Sequence, residues 1–128
     1  MAIQCVVVTP EKTELDTTAE YVALPMFDGE LGVQTGRSPM IGRLGYGVLR
    51  LTTAAGPQRY YVDGGFAQVE DNVVNILTGK LIPVDQIDSG DAQKELDTAL
   101  EMDSSTPGQA GVKETAVLRA RGKVRASR

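Results

Sequence analysis

Histidine and tryptophan are absent from this 128-residue chain, and cysteine occurs once. Without histidine there is no Ser–His or Cys–His nucleophile pair, no imidazole metal ligand and no general base that titrates near neutrality. The lone Cys5 cannot close an internal disulfide, and nothing else points to an oxidising compartment. Uninterrupted apolar runs reach only a few residues, against the roughly 20 that a membrane-spanning helix needs. The opening residues, Met1-Ala2-Ile3-Gln4-Cys5, carry no basic segment followed by a long apolar one, so no secretory signal is expected. An excess of positive charge is lacking too. With 13 basic and 17 acidic side chains the net charge is −4, which argues against bulk attraction to nucleic acid or anionic lipid. What is present, 41 % apolar residues, is enough for one ordinary domain with a real core. The expectation is a soluble, non-enzymatic protein.

Two compositions meet near Asp85. Residues 1–84 hold all the glycines except Gly90, Gly108, Gly111 and Gly122, and they show short β-branched runs divided by turn residues. Ile3–Thr9, Glu20–Leu24, Tyr46–Thr53, Tyr60–Asp63, Phe66–Glu70 and Val73–Thr78 are predicted as strands. Asp28-Gly29, Asp63-Gly64-Gly65 and Asp71-Asn72 are predicted as the turns between them. Many short strands at this spacing imply an antiparallel β-sandwich or barrel. Tyr60 and Tyr61 are adjacent, so one should face the core and the other the outside. After Asp85 the spacing becomes helical. Ile87, Ala92, Leu96, Ala99 and Leu100 predict a helix capped by Asp88 and running to about Met102. Ser104–Gly111 is expected to be a loop. Val112, Ala116, Ala120 and Val124 then form the stripe of a second helix, in which Gly122 costs about 1 kcal/mol against alanine and should fray the last turns. The predicted architecture is β followed by α, a sandwich over residues 1–84 and a two-helix hairpin over 85–128.

Charge divides at the same place. Residues 1–110 hold 7 basic and 16 acidic side chains, whereas 111–128 hold 6 basic and 1 acidic. The six are Lys113, Arg119, Arg121, Lys123, Arg125 and Arg128. At helical spacing Arg119 and Lys123 share one face and Arg121 and Arg125 another. Such an end is either a solvated tail or an arm that seeks an acidic surface.

Other motifs carry no chemistry. Gly29, Gly32, Gly36, Gly42, Gly45 and Gly47 lack the strand–loop–helix setting of a phosphate loop and suit tight turns and close strand approach. Asp85, Asp88 and Asp91 lack the alternate-residue oxygens of a calcium loop and suit a helix N-terminus. Cys5, in a β-branched run, is expected to be a small buried residue. No metal site and no cofactor are expected.

Three stretches resemble the epsilon subunit family of F-type ATP synthases. Phe27–Leu49, FDGELGVQTGRSPMIGRLGYGVL, is similar to the family's G-E-x-G-I-x-x-G-H-x-P segment and the L-x-x-G-x-x that follows it. Val62–Leu77, VDGGFAQVEDNVVNIL, is similar to its V-S-G-G-F-x-E-V-x-x-N-x-V-x-V-L segment. Residues 81–92 resemble the strand leading into the I-D-x-x-R-A start of the first C-terminal helix. The resemblance implies a non-catalytic central-stalk subunit that couples proton transport to ATP synthesis and restrains ATP hydrolysis through its hairpin. It implies contacts with the gamma subunit, the ring of c subunits and the catalytic beta subunits, with alpha as a further candidate. It also implies a peripheral place on the cytoplasmic face of a bacterial inner membrane. By this resemblance Glu30–Arg37 should be a glycine-permitted loop at the membrane-facing end, with Glu30 and Arg37 meeting the c subunits. Arg119, Arg121, Lys123 and Arg125 would meet an acidic loop of beta. Two departures matter. Arg37 stands at the family's histidine, and Asp91 stands at the arginine that contacts ATP in some relatives, so no ATP binding is expected. A free-standing β-sandwich that binds a small ligand, and an enzyme using Asp and Glu alone, are the competing readings.

Overall fold

The computed structural model describes residues 2–127, so Met1 of the signal reading and Arg128 of the basic arm lie outside the described residues. Eight strands precede two helices. The strands are β1 (Ile3–Val8), β2 (Thr13–Ala19), β3 (Tyr21–Met26), β4 (Gly29–Val33), β5 (Met40–Thr53), β6 (Gly56–Glu70), β7 (Val73–Leu77) and β8 (Leu81–Pro83). A single 3₁₀ turn over Val84–Gln86 leads to α1 (Ser89–Leu100) and α2 (Pro107–Ala126).

The strand order is β2-β1-β7-β6-β5-β3-β4, with β8 also on β6. All pairings are antiparallel except β1 with β7, which departs from the expected wholly antiparallel sheet. The long β5–β6 hairpin joins the two layers of the sandwich. The first part of β6, Tyr60–Val62, pairs with β8, and the last part, Phe66–Glu70, pairs with β7. Between them lies Asp63-Gly64-Gly65. These residues are not the expected turn between two strands. The ladder to β5 keeps its register across them, Tyr46 opposite Asp63 and Leu44 opposite Gly65. Gly64 and Gly65 instead bend one continuous strand through φ of 72° and 110°. At Gly65 a β-carbon would lie 1.8 Å from the Leu77 carbonyl oxygen, so only glycine allows β6 to approach β7 there. Asp71-Asn72, with φ of 52° and 61°, does form the expected two-residue turn into β7.

The core lies wholly within the sandwich. Ile3, Cys5 and Val7 alternate inward along β1 and meet Val22, Leu24, Leu44, Leu49, Leu51, Val74 and Ile76. Tyr60 packs half-buried against this core. Tyr61 points to the opposite face and is nevertheless fully buried, because α2 covers it.

Asp88 caps α1 as expected, its carboxylate accepting from the Asp91 N–H at 2.9 Å. Helix α2 begins earlier than expected. Thr106 and Gln109 form a reciprocal capping box and Pro107 takes the first turn, so the predicted loop stops at Thr106. The buried face of α2 also differs from the Val112 stripe. Val112 is 60 % exposed, while Ala120, Gly122 and Ala126 are buried. Gly122 therefore sits at the close contact of helix and sheet rather than in a frayed end.

Candidate functional site

Two surfaces gather the residues singled out from the sequence. The first surrounds the Phe27-Asp28 turn between β3 and β4. Glu30 belongs to β4 and not to the expected loop, because Gly29–Val33 pairs with β3. Only residues 34–39 remain irregular, tied to the β6–β7 turn by the Gly36 N–H, which donates to Asn72 Oδ1 at 2.7 Å. Glu30 and Arg37 nevertheless line one open groove of 640 Å³, together with Phe27 and Ile41. Ile41 is 74 % exposed. The Arg43 guanidinium lies 4.0 Å from the centre of the Phe27 ring. The Glu30 carboxylate is paired with Arg50, an exposed contact.

The second surface joins the hairpin to the sandwich. Arg119 Nε donates to Asp63 Oδ1 at 2.8 Å, and the Tyr61 hydroxyl donates to the same oxygen at 2.9 Å. Lys123 Nζ lies 3.1 Å from Glu95 Oε2 on α1. Arg125 donates to the Tyr46 carbonyl at 3.4 Å. Arg121 alone of these four cations is exposed with no ion pair or hydrogen bond among the described residues. Burial works against the charged guanidinium of Arg119, but the charge and hydrogen bond of Asp63, with Tyr46 and Tyr61 nearby, together hold its pKa above the ordinary value. Burial, and after it the Asp63 charge, pushes the Tyr61 phenol well up, so its hydroxyl stays a donor.

The sequence marks Arg119 and Lys123 but not their partners Asp63 and Glu95. A signal for Asp63 was available: the resembled V-S-G-G-F pattern has serine where this chain has aspartate. Asp91 is exposed in the first turn of α1, on the same helix as Glu95, and its side chain takes part in neither set of contacts. Among the described residues no cluster of His, Cys, Asp or Glu could hold a metal ion, and no helix is long and apolar enough to cross a membrane.

Residues 2–84 match the family model described as ATP synthase, Delta/Epsilon chain, beta-sandwich domain. The ATP synthase epsilon chain of Rhodopirellula baltica is 71 % identical over 128 residues, all of both chains. The chain belongs to the ATP synthase epsilon family. Within it, the epsilon chain of Propionigenium modestum described as sodium ion specific is 35 % identical over 95 residues, 74 % of this chain and 69 % of that one. A chain in the cryo-EM structure of the Euglena gracilis mitochondrial ATP synthase, OSCP/F1/c-ring, superposes with a TM-score of 0.86 at 25 % identity, covering 98 % of this chain and 81 % of that one. As an epsilon-family member the chain is a non-catalytic stalk subunit of an ATP synthase, peripheral to a membrane complex. Membership displaces both competing readings, the free-standing ligand module and the carboxylate enzyme.

Proposed function

We propose that the two parts of the chain divide the subunit's work. The sandwich, residues 1–84, joins the gamma subunit to the c ring and so couples proton transport to ATP synthesis. The hairpin, residues 85–128, restrains ATP hydrolysis. The exposed apolar residues Phe66 and Leu77, opposite one another on β6 and β7, supply a stiff face for gamma. Glu30 and Arg37 meet the polar loops of the c subunits. Arg119, Arg121, Lys123 and Arg125 meet acidic groups of the catalytic beta subunits, with alpha beside them. In a bacterial cell this places the chain on the cytoplasmic face of the inner membrane. Asp91 puts a carboxylate where a cation would hold nucleotide, so no ATP site is assigned to the hairpin.

One observation carries this reading. The apolar core is built from strand residues alone, and the helices attach through alanines, a glycine and polar contacts. Torque needs a broad stiff joint, which a closed sandwich core supplies. Regulation needs an element that can leave without unfolding the rest, which a polar and small-residue seam permits. Exposed ion pairs contribute only about 0.2–1 kcal/mol each, and salt screens them. A few acting together still shift the docked fraction, since each 1.4 kcal/mol is tenfold.

The test is a complex assembled with a chain lacking residues 111–128. ATP hydrolysis should rise above that of the intact complex at low salt, with assembly unchanged, and the difference should shrink as salt rises. Equal hydrolysis with and without the segment, at low and high salt alike, overturns the regulatory reading.

A further inference from the structure

Among the described residues there are three ion pairs, and they do different jobs. Arg50 with Glu30 lies within the sandwich, and Lys123 with Glu95 lies within the hairpin. Only Arg119 with Asp63 crosses from one to the other. The carboxylate in that pair is built in firmly. The Asp63 N–H donates to the buried Thr78 Oγ1 at 3.0 Å, and the Thr78 N–H donates to the Val8 carbonyl at 3.1 Å. The side chain of Asp63 is 9 % exposed, whereas that of Arg119 is 39 % exposed. Asp63 is thus a fixed receptor on a bent strand, and Arg119 is the part that can leave.

The surroundings favour this one pairing. Tyr61, fully buried, gives Asp63 its second hydrogen bond and brings its hydroxyl within 3.4 Å of the Arg119 carbonyl. The Arg119 guanidinium also lies 5.5 Å from the centre of the Tyr46 ring. A carboxylate this buried is costly without a cation, so the sandwich itself favours the docked helix.

We propose that Asp63 is the docking residue for the hairpin, an internal anion that holds Arg119 and withholds it from acidic partner surfaces. The latch itself rests on this chain's geometry alone, while the competition with a partner rests on the regulatory reading given above. An acidic surface on another subunit can recruit the arm only by replacing Asp63. Weakening Asp63 should therefore strengthen the restraint on hydrolysis, whereas weakening Arg119 should not, because Arg119 serves both states.

Hydrogen exchange on the isolated full-length chain tests the latch. In Asp63→Asn and in Arg119→Gln, amides of α2 should exchange about tenfold faster than in the unmodified chain, equivalent to about 1.4 kcal/mol. Amides of β1 and β7 should be unchanged. Arg119→Lys keeps the charge and should retain most of the protection. Raising salt should speed α2 exchange in the unmodified chain but not in Asp63→Asn. Unaltered α2 exchange in both neutral variants overturns the latch, as does equal acceleration in Arg119→Lys and Arg119→Gln. Should Asp63→Asn loosen the strands too, Arg119→Gln decides, since its side chain lies at the surface. In the assembled complex Asp63→Asn should lower ATP hydrolysis and Arg119→Gln should not. Unchanged hydrolysis in Asp63→Asn, with α2 exchange accelerated as expected, overturns the competition and leaves the latch standing; the regulatory reading then stands or falls on deletion of residues 111–128.

Discussion

Gly122 of α2 rests on the backbone of Tyr46 in β5, so close that a β-carbon at Gly122 would lie 2.5 Å from the Tyr46 carbonyl oxygen. The contact is with main chain, which cannot rotate aside as a flexible side chain could. Glycine here serves the joint between hairpin and sandwich and lets the helix axis approach the strand.

Gly122→Ala separates the two roles a helical glycine can have. In an exposed helix the change would stabilise by about 1 kcal/mol. At this seam the added carbon must push α2 outward, and overpacking of that kind typically costs about 1–3 kcal/mol. The expected outcome is a lower thermal midpoint and faster exchange of α2 amides, with far-UV helical signal retained. A higher midpoint with α2 exchange unchanged would mean that the helix does not sit on Tyr46.

Much of this molecule is legible in the residues, and the failures have physical reasons. β1, β7, Asp71-Asn72 and the Asp88 cap follow from alternation, turn chemistry and capping, which act over a few residues. Asp63-Gly64-Gly65 has turn composition but serves as a bend within β6, because pairing with β5 continues on both sides of it. β2 and β4 are edge strands with many exposed residues, so little apolar alternation marks them. Val112 and Gly122 depart from expectation for one reason. Helical periodicity ranks residues by apolarity, whereas α2 selects small ones so that it can lie close to the sheet. Glu30 and Arg37 came from resemblance, and the shared groove that unites them depends on β3–β4 pairing that residue spacing does not reveal.

Cys5 supplies a pH dependence whose sign can be worked out. It is fully buried in the core, and burial, followed by the nearby Asp16 charge, pushes its thiol from an ordinary 9.0 up to about 12. Below 9.0 both folded and unfolded chains keep the proton, so this group contributes its full stability. Above 9.0 the unfolded chain releases the proton while the folded chain holds it. Stability is lost progressively across the window from 9.0 to about 12, on the order of 1.4 kcal/mol per pH unit. Denaturant unfolding of the unmodified chain and Cys5→Ala at a series of pH values checks this. The stability advantage of the unmodified chain should shrink above pH 9, and parallel curves for the two proteins would contradict it.

Glu30 and Arg37 present opposite charges in one groove beside exposed apolar side chains, an arrangement suited to polar loops of a partner. Reversing both, Glu30→Lys with Arg37→Glu, should weaken coupling between proton flow and ATP synthesis in the assembled complex. The change also breaks the pair between Glu30 and Arg50, whose side chains are 52 % and 49 % exposed. A pair that open is worth at most about 1 kcal/mol, so the thermal midpoint of the isolated chain should move little. Arg50→Ala provides the control, because it breaks the same pair and leaves both groove charges in place. Coupling should fall in the double reversal and stay normal in Arg50→Ala. Normal coupling in the double reversal would remove the c-ring assignment. An equal fall in Arg50→Ala would trace the effect to the ion pair on the sandwich instead of the groove.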